Sequence, residues 1–418
     1  MQTKFRLTAK QAEYIRNANH RWNIACGAVR SGKSYLQTSY LIPSRILERK
    51  EKRGLLVFLG ATRANIERNL LQPLRDIYGS SVATGINSKN WAKVLGAKVY
   101  CIGADNVHQV SKLRGSEISY CAVDEGTDIN PEVFEMLKSR LSLPWSCCDI
   151  TTNPNSPNHW FKKFIDSREQ GVDIYLQEYT IYDNPFLPED YVHNLEAEYA
   201  GSVWFDRYIL GKWTLAEGLV YPNFSLALYD EDFDGVAEEY WISLDYGTSN
   251  PFAALLWEKR GDVWYLSHEY GYSGRESGVQ LTDGQYLERL KDNLVCYIPE
   301  EKRGFVRVIV DPSAASFIAL LRQDGHFGVT KGDNSVIDGI RETNSCIQMG
   351  KIKVHKRNKG ILQEAQSYRW DENSAEDKVI KEFDHYMDAL RYFVKTKRIA
   401  KQSGSYTSIF EQIGVVVR

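Results

Sequence analysis

Residues 22–34 read W-N-I-A-C-G-A-V-R-S-G-K-S, and no other stretch limits the fold of this chain so tightly. An apolar strand runs into G-x-x-x-x-G-K-S at Gly27–Ser34, and S-Y-L-Q-T-S-Y-L-I-P-S-R-I-L-E-R-K continues as a helix. Strand, glycine loop and helix in that order make a phosphate cradle. The glycines let backbone N–H groups close on phosphate oxygens, and the helix N-terminus adds a favourable dipole. Lys33 would neutralise the β- and γ-phosphates and Ser34 would hold Mg²⁺ through its hydroxyl. Gly27, Arg30, Ser31 and Gly32 complete the expected ATP-binding loop.

The same alternation extends around the loop. LLVFLGA (55–61), AKVYCIG (97–103), SYCAVDE (119–125) and CDITTNP (148–154) read as buried strands separated by helical stretches. That pattern predicts an α/β fold with a parallel-rich sheet and ligands beyond the C-terminal strand ends. SYCAVDE ends in two acids: Asp124 would bind Mg²⁺, and Glu125 would orient and deprotonate the attacking water. Arg30 and Arg114 are candidates to neutralise the transferring phosphoryl, Arg114 as an arginine finger; either could equally be a surface ion pair. Thr152 and Asn153 end a further strand, where they could sense the γ-phosphate or form an Asx-type turn before Pro154.

A chain of 418 residues, 43% hydrophobic and 25% charged, can build two or three domains with ordinary cores. No apolar run is long enough to span a membrane, and the polar start MQTKFRLTAKQ lacks the apolar segment of a signal peptide. Seven cysteines without a CxxC pair, several in apolar context, fit reduced buried thiols in a cytoplasmic protein rather than a zinc site. A net charge of -2 leaves DNA binding to local basic surface. The expected division is an ATPase domain at 1–215, an acidic linker at 216–240, a second domain at 241–398 and a tail at 399–418.

The second domain carries acids in a recurring setting. Asp245 ends the strand WISL, Asp311 ends VRVIV, and Asp388 sits in the helix FDHYMDALRYFV. An unpaired carboxylate at the end of an apolar strand is costly, and a shared divalent metal removes that cost. Two metals held by such acids suit phosphodiester cleavage. His385 lies three residues before Asp388 on the same helix face and could ligate metal, shuttle a proton or be structural. Strand with acid, hairpin, helix (about 277–293), strand with acid and closing helix with acid is the layout of an RNase H-like nuclease. K-I-K-V-H-K-R-N-K is the densest basic run; Lys351, Lys353, Lys356, Arg357 and Lys359 could hold DNA phosphates or form a solvated strand and loop, with Lys395, Lys397 and Arg398 extending the patch.

Taken together, L-T-A-K-Q (7–11), G-A-V-R-S-G-K-S, L-R-G-S-E-I-S-Y-C-A-V-D-E, T-T-N-P, S-L-D-Y-G, V-D-P-S and D-H-Y-M-D-A-L-R-Y resemble the large terminase subunits of tailed bacteriophages and prophages over about residues 5–397. The resemblance implies an ASCE-type P-loop ATPase domain followed by an RNase H-like α/β nuclease domain. It implies an enzyme that uses ATP and Mg²⁺ to translocate double-stranded DNA into a procapsid, and that cuts concatemers with Mg²⁺ or Mn²⁺, in a two-metal site. By the same resemblance Gln11 would read adenine, Thr152 and Asn153 would couple hydrolysis to movement, and Asp245, Asp311, Asp388 and His385 would hold the nuclease metals. A small terminase subunit and the portal protein are the implied partners. The implied assembly is a ring of about five copies in the host cytoplasm, transiently at the portal and absent from the mature virion. A helicase-like repair ATPase with a fused resolvase-type nuclease, or a non-enzymatic ATP switch in capsid assembly, are the competing readings.

Overall fold

Two seven-stranded sheets, one in each half of the sequence, organise the computed structural model, which describes residues 6–105, 108, 115–247, 251–372, 374 and 376–401. The chain divides into two units. The first comprises residues up to His193 together with Val203–Leu215; the second comprises Asn194–Ser202 and the residues from Ala216 onward. Asn194–Ser202 is tied into the second unit through the Ala200 carbonyl, which accepts from Gln348 Nε2 at 2.9 Å and Asn223 Nδ2 at 3.4 Å.

The first unit contains β1 (Trp22–Gly27), β2 (Leu55–Gly60), β3 (Trp91–Val94), β4 (Ala97–Gly103), β5 (Ile118–Val123), β6 (Cys147–Thr152) and β7 (Ile174–Tyr179). Their order is β3-β4-β2-β5-β6-β1-β7, and every pair except β3 with β4 is parallel. Every residue of β1, β5 and β6 is buried, as expected of parallel strands covered by helices on both faces. Trp22, Ile24, Val123, Phe134 and Phe161 pack one face; Phe58, Leu70, Tyr120 and Ile42 pack the other. The anticipated strands fall within two residues of their observed ends. The sequence does not point to β3 or β7, because a strand of only four residues, WAKV, and the polar edge sequence IYLQEY give a weak apolar signal.

Three π-helical turns are described in this unit: Gln37–Leu41 after the glycine loop, Glu67–Leu71 after β2, and Phe205–Ile209. A proline follows each of the first two within two residues, Pro43 and Pro73. A proline lacks the N–H for the i→i−4 bond and crowds the preceding turn, and a widened turn accommodates it.

The second unit contains β8 (Leu228–Tyr229), β9 (Glu239–Asp245), β10 (Phe252–Arg260), β11 (Val263–Tyr272), β12 (Val306–Val310), β13 (Phe327–Lys331) and β14 (Ile352–His355), ordered β13-β12-β9-β10-β11-β14-β8. β9, β10 and β11 form an antiparallel meander, with β10 and β11 joined at Gly261; β12 runs parallel to β9 on its other side. Short strand β8 lies inside the stretch expected as a linker and pairs with β14. The helix expected from about 277 begins at Asp283 instead, because Thr282 and Gln285 form a reciprocal capping box that fixes its start.

Ile242 and Leu244 of β9 face a core with Val308, Val310, Leu290 and Phe317. Alternation sends Trp241, Ser243 and Asp245 to the opposite face. There the closing helix His385–Lys397 packs, with Phe393 stacked on Trp257 at 4.2 Å and edge-on to Trp264 at 5.1 Å. Six cysteines are buried and Cys296 is exposed; among the described residues no helix is long and apolar enough to cross a membrane.

Candidate functional site

With β6 between β1 and β5, the C-terminal ends of three neighbouring strands bring together the glycine loop, Asp124-Glu125 and Thr152-Asn153. A cavity of about 520 Å³ opens there, lined by Arg30, Lys33, Ser34, Asp124, Glu125 and Asn153 among others. Gly27 has φ +148°, and a Cβ there would lie 2.0 Å from the Tyr179 carbonyl, so only glycine lets the loop leave β1 beside β7. Gly32, at φ +91°, precedes the helix that begins at Lys33. Arg30 holds a left-handed backbone at φ 56°, and its carbonyl accepts from Asn184 Nδ2 at 2.6 Å.

Lys33 is 5% exposed, and Nζ donates to Gly27 O at 2.9 Å, Ser31 Oγ at 3.2 Å and Asn153 Oδ1 at 3.1 Å. The same Asn153 donates its amide Nδ2 to Glu125 Oε1 and its backbone N–H to Glu125 Oε2, both at 3.1 Å. Glu125 stands at φ 53°, a strained conformation for a residue with a long side chain. Burial pushes its carboxyl up and the Lys33 ammonium down, each partly offset by the other's charge. Thr152 Oγ1 accepts the Thr127 N–H at 3.1 Å, pinning the turn that follows Glu125. Gln11 braces the loop from outside: Nε2 donates to Gly32 O at 2.9 Å, while Oε1 accepts the Thr8 N–H at 2.9 Å. Arg114 lies outside the described residues.

One contributor escaped the sequence reading. Asn69, inside the π-helical turn Glu67–Leu71, donates Nδ2 to Asp124 Oδ2 at 2.8 Å. Burial raises the Asp124 pKa, and the Asn69 bond works against that rise. Arg68 lines the same cavity. No motif spacing marks either residue, since their direction depends on the widened turn. The first π-helical turn has a parallel role: Gln37 Nε2 donates to the Val123 and Asp149 carbonyls at 3.1 and 3.2 Å, stitching β5 to β6.

In the second unit, Val310 of β12 is paired with Leu244 of β9, so Asp311 and Asp245 end neighbouring strands. The closing helix crosses that edge and brings Asp388 to them. Tyr392, one turn further on, donates its hydroxyl to Asp311 Oδ2 at 3.2 Å and feels the charge of all three acids. Asp311 Oδ1 also accepts the Ser313 N–H at 2.7 Å. His385 Nδ1 lies 2.8 Å from Asp245 Oδ2. Asp388 Oδ1 accepts from Arg391 at 2.8 Å, a guanidinium 2% exposed for which Gly339 leaves room.

Burial, then the Asp388 and Asp311 charges, push Asp245 up against the hydrogen bond from His385. For His385 burial works downward, but the bond to Asp245 and the nearby carboxylates outweigh it and raise its pKa. Among the described residues no three His, Cys, Asp or Glu side chains form a ready metal-ligand group. The acids are instead partnered one by one, by His385, by Tyr392 with the Ser313 N–H, and by Arg391. The basic run stands apart: β14 is three strands from β9. There Lys353 bonds the Leu226 carbonyl at 2.8 Å, Lys356 pairs with Asp230 at 3.2 Å and Arg357 with Asp232. Lys395 pairs with Glu342 at 2.7 Å, and Lys397 lies over the Trp241 ring at 4.2 Å.

Comparisons with known proteins place both units. Residues 24–228 match the family model described as terminase large subunit, T4-like-virus type, N-terminal, and residues 242–397 match that of the terminase RNase H-like domain. The large terminase subunit of Escherichia phage T5 is 22% identical over 402 residues, spanning 90% of this chain and 87% of its own length. The large terminase of a thermophilic bacteriophage, solved in complex with ADP, is 31% identical. The alignment spans 93% of this chain and 99% of that one, with a TM-score of 0.80. A second crystal form of the same thermophilic-phage protein gives 31% identity and a TM-score of 0.81, over 94% of this chain and 99% of its own.

Proposed function

Because the chain belongs to the phage terminase large-subunit family, an ATPase joined to an RNase H-like nuclease in a DNA-packaging motor, we propose a division of labour among its residues. In the first unit the Gly27–Ser34 loop and Lys33 hold the phosphates of ATP, Ser34 and Asp124 hold Mg²⁺, and Glu125 takes the proton of the attacking water. Asn153 carries the state of the phosphate site from Lys33 to Glu125, and Arg30 compensates charge on the phosphoryl. Gln11 braces the loop beside the adenine side of the site. In the same proposal the ATPase domain ends at 215 without Asn194–Ser202, and the stretch 216–240, which carries β8, belongs with the nuclease unit rather than a linker.

In the second unit Asp245, Asp311 and Asp388 form the cutting centre, with His385 fixing Asp245 and Arg391 fixing Asp388. The donor set is all oxygen, and the Asp388 and Asp311 charges add to burial in raising the proton affinity of Asp245, which fits a hard divalent cation such as Mg²⁺ or Mn²⁺. Such cations, when bound, supply positive charge to the phosphodiester oxygens and lower the pKa of attacking water. Double-stranded viral DNA is the substrate, with the small subunit and the portal as partners in a ring at the procapsid in the host cytoplasm. Of the competing readings, neither the repair helicase nor the capsid switch is favoured by the family.

The observation that carries this reading is the meeting of acids from β9, β12 and the closing helix under Tyr392, in a unit separate from the Lys33–Asn153–Glu125 chain. It is tested by paired variants. Lys33→Ala should abolish ATP hydrolysis. Asp311→Ala should abolish metal-dependent plasmid cutting and spare hydrolysis; cutting that survives Asp311→Ala would overturn the nuclease assignment.

A further inference from the structure

Beside the proposed nuclease acids lies a cavity of about 540 Å³ whose walls, His385 apart, have no role in the division of labour above. Its walls are Phe252 at the start of β10, Tyr272 at the end of β11, Gln363 and Ser367 of the helix Lys359–Ser367, and Phe383 and His385. The walls are built to fit. Tyr386 also lines the cavity, and it has room only because two neighbours are glycines. A Cβ on Gly271 would lie 2.0 Å from the Tyr386 hydroxyl, and one on Gly360 2.5 Å from its ring. Carboxylates anchor both helix starts: half-buried Glu269 accepts the Ile361 N–H at 2.9 Å, and buried Glu364 accepts the Tyr386 N–H at 2.7 Å.

Phe383 stands out at the rim. It has φ 53°, a genuine outlier for a bulky side chain, and it is 69% exposed. Backbone strain and a hydrated aromatic ring are two costs at one position, and such costs gather where a residue has work to do.

We propose that this cavity receives one nucleobase of the DNA strand being cut, the base beside the scissile phosphate, with Phe383 stacking on it. The proposal rests on the nuclease reading of Asp245, Asp311 and Asp388. Its first support is continuity: His385 is at once a wall of the cavity and the partner of Asp245 at 2.8 Å. A phosphodiester held at the acids therefore has its neighbouring nucleotide at this opening. The second support is chemistry. Phe383 and Tyr272 offer ring faces, and Gln363 and Ser367 offer donors and acceptors for a base edge. No lysine or arginine is among the described lining residues, so the cavity suits a base rather than a phosphate. Taking a base out of the stack costs free energy that stacking on an aromatic wall offsets.

The test uses the full chain, with Mg²⁺ or Mn²⁺, on plasmid DNA, and sequences the ends produced. Wild type should show a skewed base composition at the nucleotide beside the cut. Gln363→Ala should flatten the skew. Phe383→Ala should slow cutting about five- to hundredfold, the range expected for loss of one base stack. Phe383→Trp should restore the rate and Phe383→Leu should not, which separates stacking from bulk. ATP hydrolysis by the same preparations should be unchanged, and thermal unfolding of the variants should match wild type, confirming that both units are folded. The proposal falls if all variants cut at the wild-type rate with the wild-type end composition, including the case in which they lose only binding to a protein partner. If wild type fails to cut, or Asp311→Ala still cuts, the nuclease reading fails first and takes the base pocket with it.

Discussion

Lys33 and Glu125 are joined through one amide: Asn153 accepts from the lysine at 3.1 Å and donates to the glutamate at 3.1 Å. The amide can serve both only in one orientation, so a change at the ammonium is felt at the carboxylate. Asn153→Ala should therefore leave ATP binding nearly intact and lower kcat for hydrolysis about a hundredfold, the low end of what a positioned general base contributes. Nucleotide-binding titration beside steady-state kinetics checks this; a raised KM with unchanged kcat would contradict it.

Asn69→Ala should act through the metal. With the 2.8 Å donor gone, Asp124 loses the hydrogen bond that orients it and opposes the effect of burial. The Mg²⁺ concentration giving half-maximal hydrolysis should rise about ten- to hundredfold, as for other groups that orient a metal ligand. Hydrolysis at saturating Mg²⁺ should recover substantially.

His385→Ala removes the group hydrogen-bonded to Asp245. Plasmid nicking should fall about a hundredfold or more while ATP hydrolysis is unchanged. His385→Asn, which keeps a short polar side chain, should retain more activity than the alanine variant.

Arg45→Met tests stability rather than chemistry. Asp149 is fully buried, held by Asn23 Nδ2 at 3.0 Å and by Arg45 Nε at 3.3 Å. Removing one partner of a buried pair should cost about 3–5 kcal/mol in the first unit. Burial, the largest influence, raises the Asp149 pKa, and Arg45 opposes that rise. A carboxyl whose folded pKa lies above its unfolded value favours folding at low pH and loses that contribution as pH rises through the folded value. In the variant that pKa climbs further. The deficit relative to wild type should thus be largest near neutrality and shrink on acidification, as thermal unfolding across pH will show.

How much of this was readable in advance follows from how local each feature is. Lys33 and Ser34 sit in an eight-residue stretch between a strand and a helix whose spacing alone marks it, so the loop was legible. Asp245 and Asp311 were legible because a carboxylate ending an apolar run is conspicuous in one dimension, and their adjacency follows from parallel pairing of β9 with β12. Asn69 was not legible, because it reaches Asp124 only across a widened helical turn followed by Pro73. Arg391 and Tyr392 were hidden for a different reason. They read as ordinary positions of an amphipathic helix until tertiary packing sets them against Asp388 and Asp311. The basic run at 351–359 was conspicuous in sequence, but Asp230 and Asp232, remote in the chain, neutralise part of it.

The path of the backbone has a consequence for how such genes can recombine. The chain passes from one unit to the other at 193/194, at 202/203 and again at 215/216. No single crossover point divides the coding sequence into an intact ATPase and an intact nuclease. A hybrid joined after Leu215 inherits Asn194–Ser202 from one parent and the Gln348 and Asn223 amides that grip Ala200 from the other. A hybrid should therefore fold only where that segment, the end of the helix Glu189–Tyr199 and the turn after it, is compatible with its new surroundings.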